Sequence, residues 1–445
     1  MSLNSGIKIT IITLGYMLEK STKKRYNILA MVFFTVVINY LDRSNISVAA
    51  FALSDELELS TVQMGYIFSA FAWTYAILQI PGGIMADKIK TRFLYPILMA
   101  FWSIATLIQG VANSFLLLIG LRASIGIFEA PSYPINNLIV TRWFPDNERA
   151  SAIAVYTSGQ YLGLAFLTPV LTWIQSQMGW RGLFIVSGII GLVWALVWYI
   201  FYRDPKEHKS ISQNELKHIA DGGGLIDLKS NVKGKPKQKF EMSDLIQVFK
   251  YRKLWGIYIG QFCLGATAIF FLTWFPTYLV KYRGLDFLQS GFLASIPFLA
   301  AFAGILLSGF SSDYLVKKGY SNEIARKGPI VIGMLLSTAI IGANYTDDNT
   351  LVILFLAIAF FGNGLASIAW VFVSLMAPKN LIGLTGGAFN FIGGLSAVVV
   401  PVVIGYLVED GDFKPALFFI GGVAFLGFFC YTFVIGKVER IVSKS

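Results

Sequence analysis

Residues 26–51 read YNILAMVFFTVVINYLDRSNISVAAF, and the fold turns on what that run is. Its apolar length matches the ~20 residues that a helix needs to cross a bilayer. Inside it, an Asp and an Arg stand side by side at positions 42 and 43. Each such charge costs roughly 2.5–3.5 kcal/mol at a helix centre on insertion scales. A spanning helix that keeps both has a use for them.

The rest of the chain fits the same setting. Of its 445 residues 56% are hydrophobic and 14% charged, with a mean hydropathy of +0.65. A soluble domain carries about 25% charged residues. Twelve stretches qualify as spans: 26–51, 61–86, 93–112, 115–140, 150–176, 181–202, 254–280, 287–312, 328–345, 350–376, 381–408 and 413–436. They are called spans 1 to 12 below. The earlier apolar stretch IKITIITLGYML is too short to cross and has no small-residue cleavage site. It reads as an interfacial helix or a mis-assigned start, not a signal peptide. The expected fold class is therefore an all-α polytopic membrane protein.

Charge placement orients the chain. With the N-terminus in the cytoplasm, the cytoplasmic segments hold thirty of the 36 Lys and Arg and the opposite side holds four. Positive charge stays inside, so both termini are expected in the cytoplasm of a cell with this protein in its inner membrane. The net charge of +11 is mostly this bias, which removes nucleic acid as a partner. The expected division is 1–25 as a cytoplasmic segment, 26–202 and 254–436 as two six-helix bundles, 203–253 as a linker and 437–445 as a tail. The linker carries twelve Lys and Arg, including KGKPKQK, and reads as a solvated segment attracted to anionic headgroups.

Catalytic chemistry finds no foothold. No Gly-x-Ser-x-Gly elbow, P-loop or His/Cys metal cluster is present. Cys263 and Cys430 both lie in apolar spans, and His208 and His218 in the polar centre of the chain. No enzyme activity, cofactor or metal is expected, and energy has to come from an ion gradient.

The two halves repeat. GIMADKIKTR follows span 2, with Gly83 and Asp87; GFSSDYLVKKG follows span 8, with Gly309 and Asp313. Gly-x-x-x-Asp followed by basic residues recurs at the same place of each half, which points to a duplicated six-helix unit and a site between the copies. With this loop the sequence resembles the major facilitator superfamily, two pseudo-symmetric bundles of six helices. Within that superfamily it resembles the anion:cation symporters for sugar acids, the galactonate, glucarate, galactarate and hexuronate permeases. The stretches that carry this resemblance are NYLDRSNIS, GYIFSAFAWTYAILQIPGG, GIFEAPSYP, RWFPDNERA and QFCLGATAIFFLTWFPTYLV. It extends over about residues 25–440. It implies gating roles for Asp87 and Asp313 and their glycines; Tyr314 replaces the basic residue that follows Asp87.

Four ionisable groups lie deep in spans, Asp42, Arg43, Arg122 and Glu129, all in the first half. At ~1.5 Å per residue, Arg43 lies roughly 12 Å and Arg122 roughly 10 Å from the outer ends of spans 1 and 4. Glu129 is almost two turns beyond Arg122 on the same face, just before Pro131 and Pro134. Two guanidiniums at one level can hold a carboxylate bidentately. With both acids ionised the four groups sum to zero, and an arriving anion raises the proton affinity of the acids. Anion and proton are expected to bind together, with Asp42 and Glu129 as the proton carriers. The resemblance implies the same division of roles.

Tyr40, Tyr75 and Gln160, and in the second half Asn363, Ser367, Trp370 and Asn390, are polar residues at interior depth. The resemblance implies that Tyr40, Tyr75, Gln160, Ser367, Trp370 and Asn390 line the site; bonds between membrane helices are their ordinary alternative. Gly126 and Gly364 are expected to serve close helix packing. The reading is a monomeric proton-coupled importer of a sugar acid. Another organic anion, aromatic carboxylate or monocarboxylate, is the alternative substrate, and an anion sensor the alternative class.

Overall fold

A computed structural model describes residues 21–226, 242–378 and 381–441. The stretch 7–18, the KGKPKQK segment and the side chain of Asp87 lie outside the described residues. What is described is helical, as a bilayer requires, since a helix satisfies its backbone groups within one segment.

Nine helices among the described residues are long and apolar enough to cross a membrane. One of them, Asp146–Phe201, is 56 residues long and contains spans 5 and 6, turning at Gly179, whose φ of 68° suits glycine. The helices of spans 1 and 2, Lys24–Glu56 and Thr61–Lys88, are long enough and carry more polar groups. Twelve crossings result, arranged as two six-helix bundles.

Local sequence sets the ends. Span 2 begins on a capping box in which Ser60 Oγ accepts from the Gln63 amide and Gln63 Oε1 accepts from the Ser60 amide. Ser114, Asp286 and Asp348 cap spans 4, 8 and 10. Span 4 breaks after Glu129 and resumes as Ser132–Trp143, with Pro131 at the break. Span 10 runs Asn349–Ala366, tightens through Ser367–Trp370 and resumes as Val371–Met376. Many Phe and Ile side chains, Phe166, Phe292 and Phe310 among them, point outward from the bundle, as a lipid-facing surface demands.

Both ends of the described chain lie at one end of the bundle, here the termini end. Arg25 there bonds Glu148 and Glu215, and Lys253 bonds Glu439. The linker is more ordered at its start than a solvated segment: helix Gln213–Asp221 buries Glu215 and Ile219. Glu215 accepts from Thr22, the Lys24 amide and Arg25, so the segment is held by a partnered buried charge. Nearby, buried Arg142 bonds Asp204 at 3.1 Å.

At the opposite, far end the halves meet closely. Thr61 Oγ1 donates to Gly405 O at 2.9 Å and Ser47 Oγ to Thr273 O at 2.7 Å. Phe68 and Trp274 pack edge to face with centroids 5.3 Å apart. Span 2 thus packs on span 11, and span 5 on span 8, where a Cβ on Gly291 would strike Thr172. Toward the termini end, Trp370, Asn390 and Phe391 between the halves are exposed. The cleft is shut at the far end and open toward the termini.

Candidate substrate and ion-coupling site

A cavity of about 310 Å³ lies between the bundles. Its polar wall is Arg43, Tyr75, Gln79, Arg122 and Asn390; Phe68, Phe71 and Phe391 supply much of the rest. Spans 1, 2 and 4 of the first half and span 11 of the second bring these side chains together.

Span 1 projects Arg43 into the wall, where its Nε donates to Glu129 Oε1 at 2.7 Å. Its guanidinium sits 4.9 Å from the Tyr40 ring, 4.9 Å from Phe71 and 4.8 Å from Tyr75. Arg122 lies 5.5 Å from the same Phe71 ring and donates through Nη1 to the backbone carbonyl of Asp42 at 3.1 Å. One aromatic ring therefore touches both guanidiniums, and cation–π attraction favours that placement. Glu129 is fully buried and ion-paired with Arg43.

Asp42 is placed differently. It is fully buried, and neither carboxylate oxygen has a hydrogen-bond partner within the chain. It faces Thr106 and Trp102 on span 3, with Glu129 and Arg122 as its charged neighbours. Consecutive residues on a helix point about 100° apart, so Arg43 reaches the cavity and Asp42 turns behind it.

The remaining expected residues fall into two groups. Tyr40 OH donates to Gln160 Oε1 at 2.9 Å and Tyr133 OH to the same oxygen at 3.4 Å, which fixes Tyr40 against Arg43. Trp370 and Asn390 border a wider opening of about 500 Å³ toward the termini end. Ser367 is half-buried in the tight turn of span 10, outside both linings. Asn363 Nδ2 donates to Leu264 O at 2.8 Å, an ordinary bond between helices.

Gln79 was not singled out by sequence reasoning, yet it lines the cavity, and Asn390 Nδ2 donates to its Oε1 at 3.4 Å across the two halves. The available signal was its spacing, one helical turn after Tyr75 on the same face. Gly126 and Gly364 do serve close packing: a Cβ would strike Phe71 O and Thr74 Oγ1 at the first and Ala301 O at the second.

In the repeated loops, Asp313 accepts from Arg326 Nη1 at 2.7 Å, and a Cβ at Gly309 would meet open space. A Cβ at Gly83 would approach Pro134 at 3.9 Å, ordinary contact.

The sequence pattern of the Major Facilitator Superfamily matches residues 32–401. A D-galactonate transporter of Escherichia coli is 51% identical over 422 residues, covering 95% of this chain and 98% of that one. A probable galactarate/D-glucarate transporter of Escherichia coli is 42% identical, covering 95% of this chain and 97% of its own length. One from Bacillus subtilis is 40% identical, over 96% and 95%. Among solved structures, a bacterial homologue of the human lysosomal transporter Spinster, inward-facing and unoccupied, superposes with a TM-score of 0.70 at 19% identity, covering 94% and 96%. The nucleoside transporter NupG does so at 0.70 and 13%, covering 92% and 100%.

Proposed function

We propose that this chain, which belongs to the Major Facilitator Superfamily and is a membrane transport protein rather than an enzyme, imports a sugar-acid anion by proton symport with alternating access. The substrate is a hexonate, hexarate or hexuronate. The termini end faces the cytoplasm of the inner membrane, as the bias in Lys and Arg favours, and the far end faces outside.

The observation that carries this reading is the pair of guanidiniums on one cavity wall, with Glu129 already seated on Arg43. A substrate carboxylate and the Glu129 carboxylate compete for Arg43. Protonating Glu129 weakens its hold, frees Arg43 for the substrate and offsets the charge the anion brings. Release toward the termini end reverses both steps: Glu129 loses its proton and takes Arg43 back. Gln79, Asn390 and Tyr75 offer donors and acceptors to substrate hydroxyls. Relatives named for D-galactonate and galactarate/D-glucarate support the substrate class.

The test is uptake of labelled D-galactonate into proteoliposomes under an inward proton gradient, competed by D-glucarate, glucuronate and phthalate. Accumulation abolished by a protonophore and competed by sugar acids is the expected result. Competition by phthalate alone would move the substrate to the aromatic carboxylates, for which the Phe68, Phe71 and Phe391 walls leave room.

A further inference from the structure

We propose that protons reach Asp42 from the far end of the bundle along a buried polar stripe between spans 1 and 3, formed by Gln109, Asn45 and Thr106, separate from the anion cavity. This rests on the proton-symport reading above and adds the route to it.

Asp42 is not part of the cavity lining, and Arg122, which is, bonds the backbone carbonyl of Asp42. Its carboxylate instead faces Thr106 and Trp102 on span 3. Spans 1 and 3 run in the same direction through the bundle. One turn farther toward the far end on span 1 lies Asn45, and one turn farther on span 3 lies Gln109. Both are fully buried. Both atoms of each amide lack a hydrogen-bond partner within the chain, as do Thr106 Oγ1 and Trp102 Nε1.

Unpaired buried amides destabilise a fold, and an ionisable group at this depth, here Asp42, marks an ion pathway by default. Buried polar groups of this kind are satisfied by ordered water, and a chain of waters hydrogen-bonded to side-chain amides and hydroxyls carries protons. Gln109 is the last residue of its helix. Immediately beyond it, Arg181 Nη1 donates to the carbonyls of Gly110 and Ala112, while its Nη2 bonds Glu56 at 2.8 Å on the surface. The stripe thus runs from a charged surface cluster to the Asp42 carboxylate. The groups that face Asp42 from its packed neighbours are Glu129 and Arg122 on span 4 and the uncharged Thr106 and Trp102 on span 3.

The experiment compares wild type, Gln109→Met and Thr106→Val in proteoliposomes by two fluxes, D-galactonate counterflow without a gradient and uptake driven by an inward proton gradient. The route predicts counterflow at the wild-type rate and gradient-driven uptake slowed by roughly tenfold, about 1.4 kcal/mol on the barrier. It also predicts a pH profile of uptake displaced from wild type, and recovery in Gln109→Glu. A merely structural role lowers both fluxes together, and that result overturns the route, as does gradient-driven uptake at the wild-type rate in both variants. Thr106→Val keeps the comparison informative if Gln109→Met folds poorly. Wild-type uptake that ignores protonophore removes proton symport itself, an outcome distinct from a normal wild type with indifferent variants.

Discussion

Arg43 and Glu129, 86 residues apart in sequence, are joined at 2.7 Å on the wall of the central cavity. A buried pair of this kind gains stability only when its geometry is good. In the proposed cycle its value lies in being exchangeable, with the same guanidinium holding Glu129 and a substrate carboxylate in turn.

Arg43→Lys is expected to weaken D-galactonate binding by roughly 10- to 100-fold, the loss of one charge-assisted contact of about 1.5–3 kcal/mol. Lysine keeps the charge and loses both the bidentate fork and the stacking against Tyr40, Phe71 and Tyr75. Calorimetric titration of purified protein measures it; unchanged affinity would take Arg43 out of the binding site.

Gly65→Val is expected to disfavour closure at the far end, because a Cβ at Gly65 would sit 2.6 Å from Pro401 O of the opposite half. A thiol placed by Ser54→Cys, in the far-end cleft beside Lys281 and Glu409, reports the opening. Labelling of that thiol by a membrane-impermeant reagent should be faster in the Gly65→Val background. Equal rates would mean that this contact does not hold the cleft shut.

The termini end makes a prediction about pH. Glu148 sits below the ordinary glutamate range: partial burial works against its charge, but hydrogen bonds from His218 and Arg25 outweigh it. A depressed carboxylate contributes stability above its unfolded value of about 4.3 and loses it as pH falls through the folded value. Melting temperature in detergent should therefore drop below about pH 4.3 in wild type, and the drop should be smaller in Glu148→Gln. At neutral pH that variant should be less stable by about 1 kcal/mol. Identical pH profiles for the two would remove Glu148 from the account.

Stoichiometry is readable as current. A monoanion with one proton moves no net charge, whereas a second proton adds one charge, worth about 2.3 kcal/mol per 100 mV. With one proton that enters at Asp42 and is held on Glu129, one proton per monoanion and no current is the expected result, and steady inward positive current would mean that both acids carry a proton inward in each cycle.

Much of the architecture was legible in the sequence, because hydropathy and the repeated Gly-x-x-x-Asp loops speak directly to span number and duplication. The levels of Arg43 and Arg122 could be counted from span ends. Which acid meets which base could not, since it depends on helix rotation: Glu129 engages Arg43, and Arg122 takes the Asp42 backbone carbonyl. Gln79, inside span 2 one turn after Tyr75, was not legible as a site residue because only the packing of span 2 on span 11 shows that this face lines the cavity. The order at the start of the linker escaped for a related reason, as only tertiary structure brings Glu215 to Arg25.

The most direct test of the central claim is Glu129→Gln, assayed side by side for D-galactonate counterflow and for accumulation under an inward proton gradient. The shared hold on Arg43 predicts that counterflow survives, since glutamine leaves Arg43 free for substrate, and that accumulation above equilibrium disappears. Accumulation at the wild-type level would contradict it, and would place the coupling proton somewhere other than Glu129.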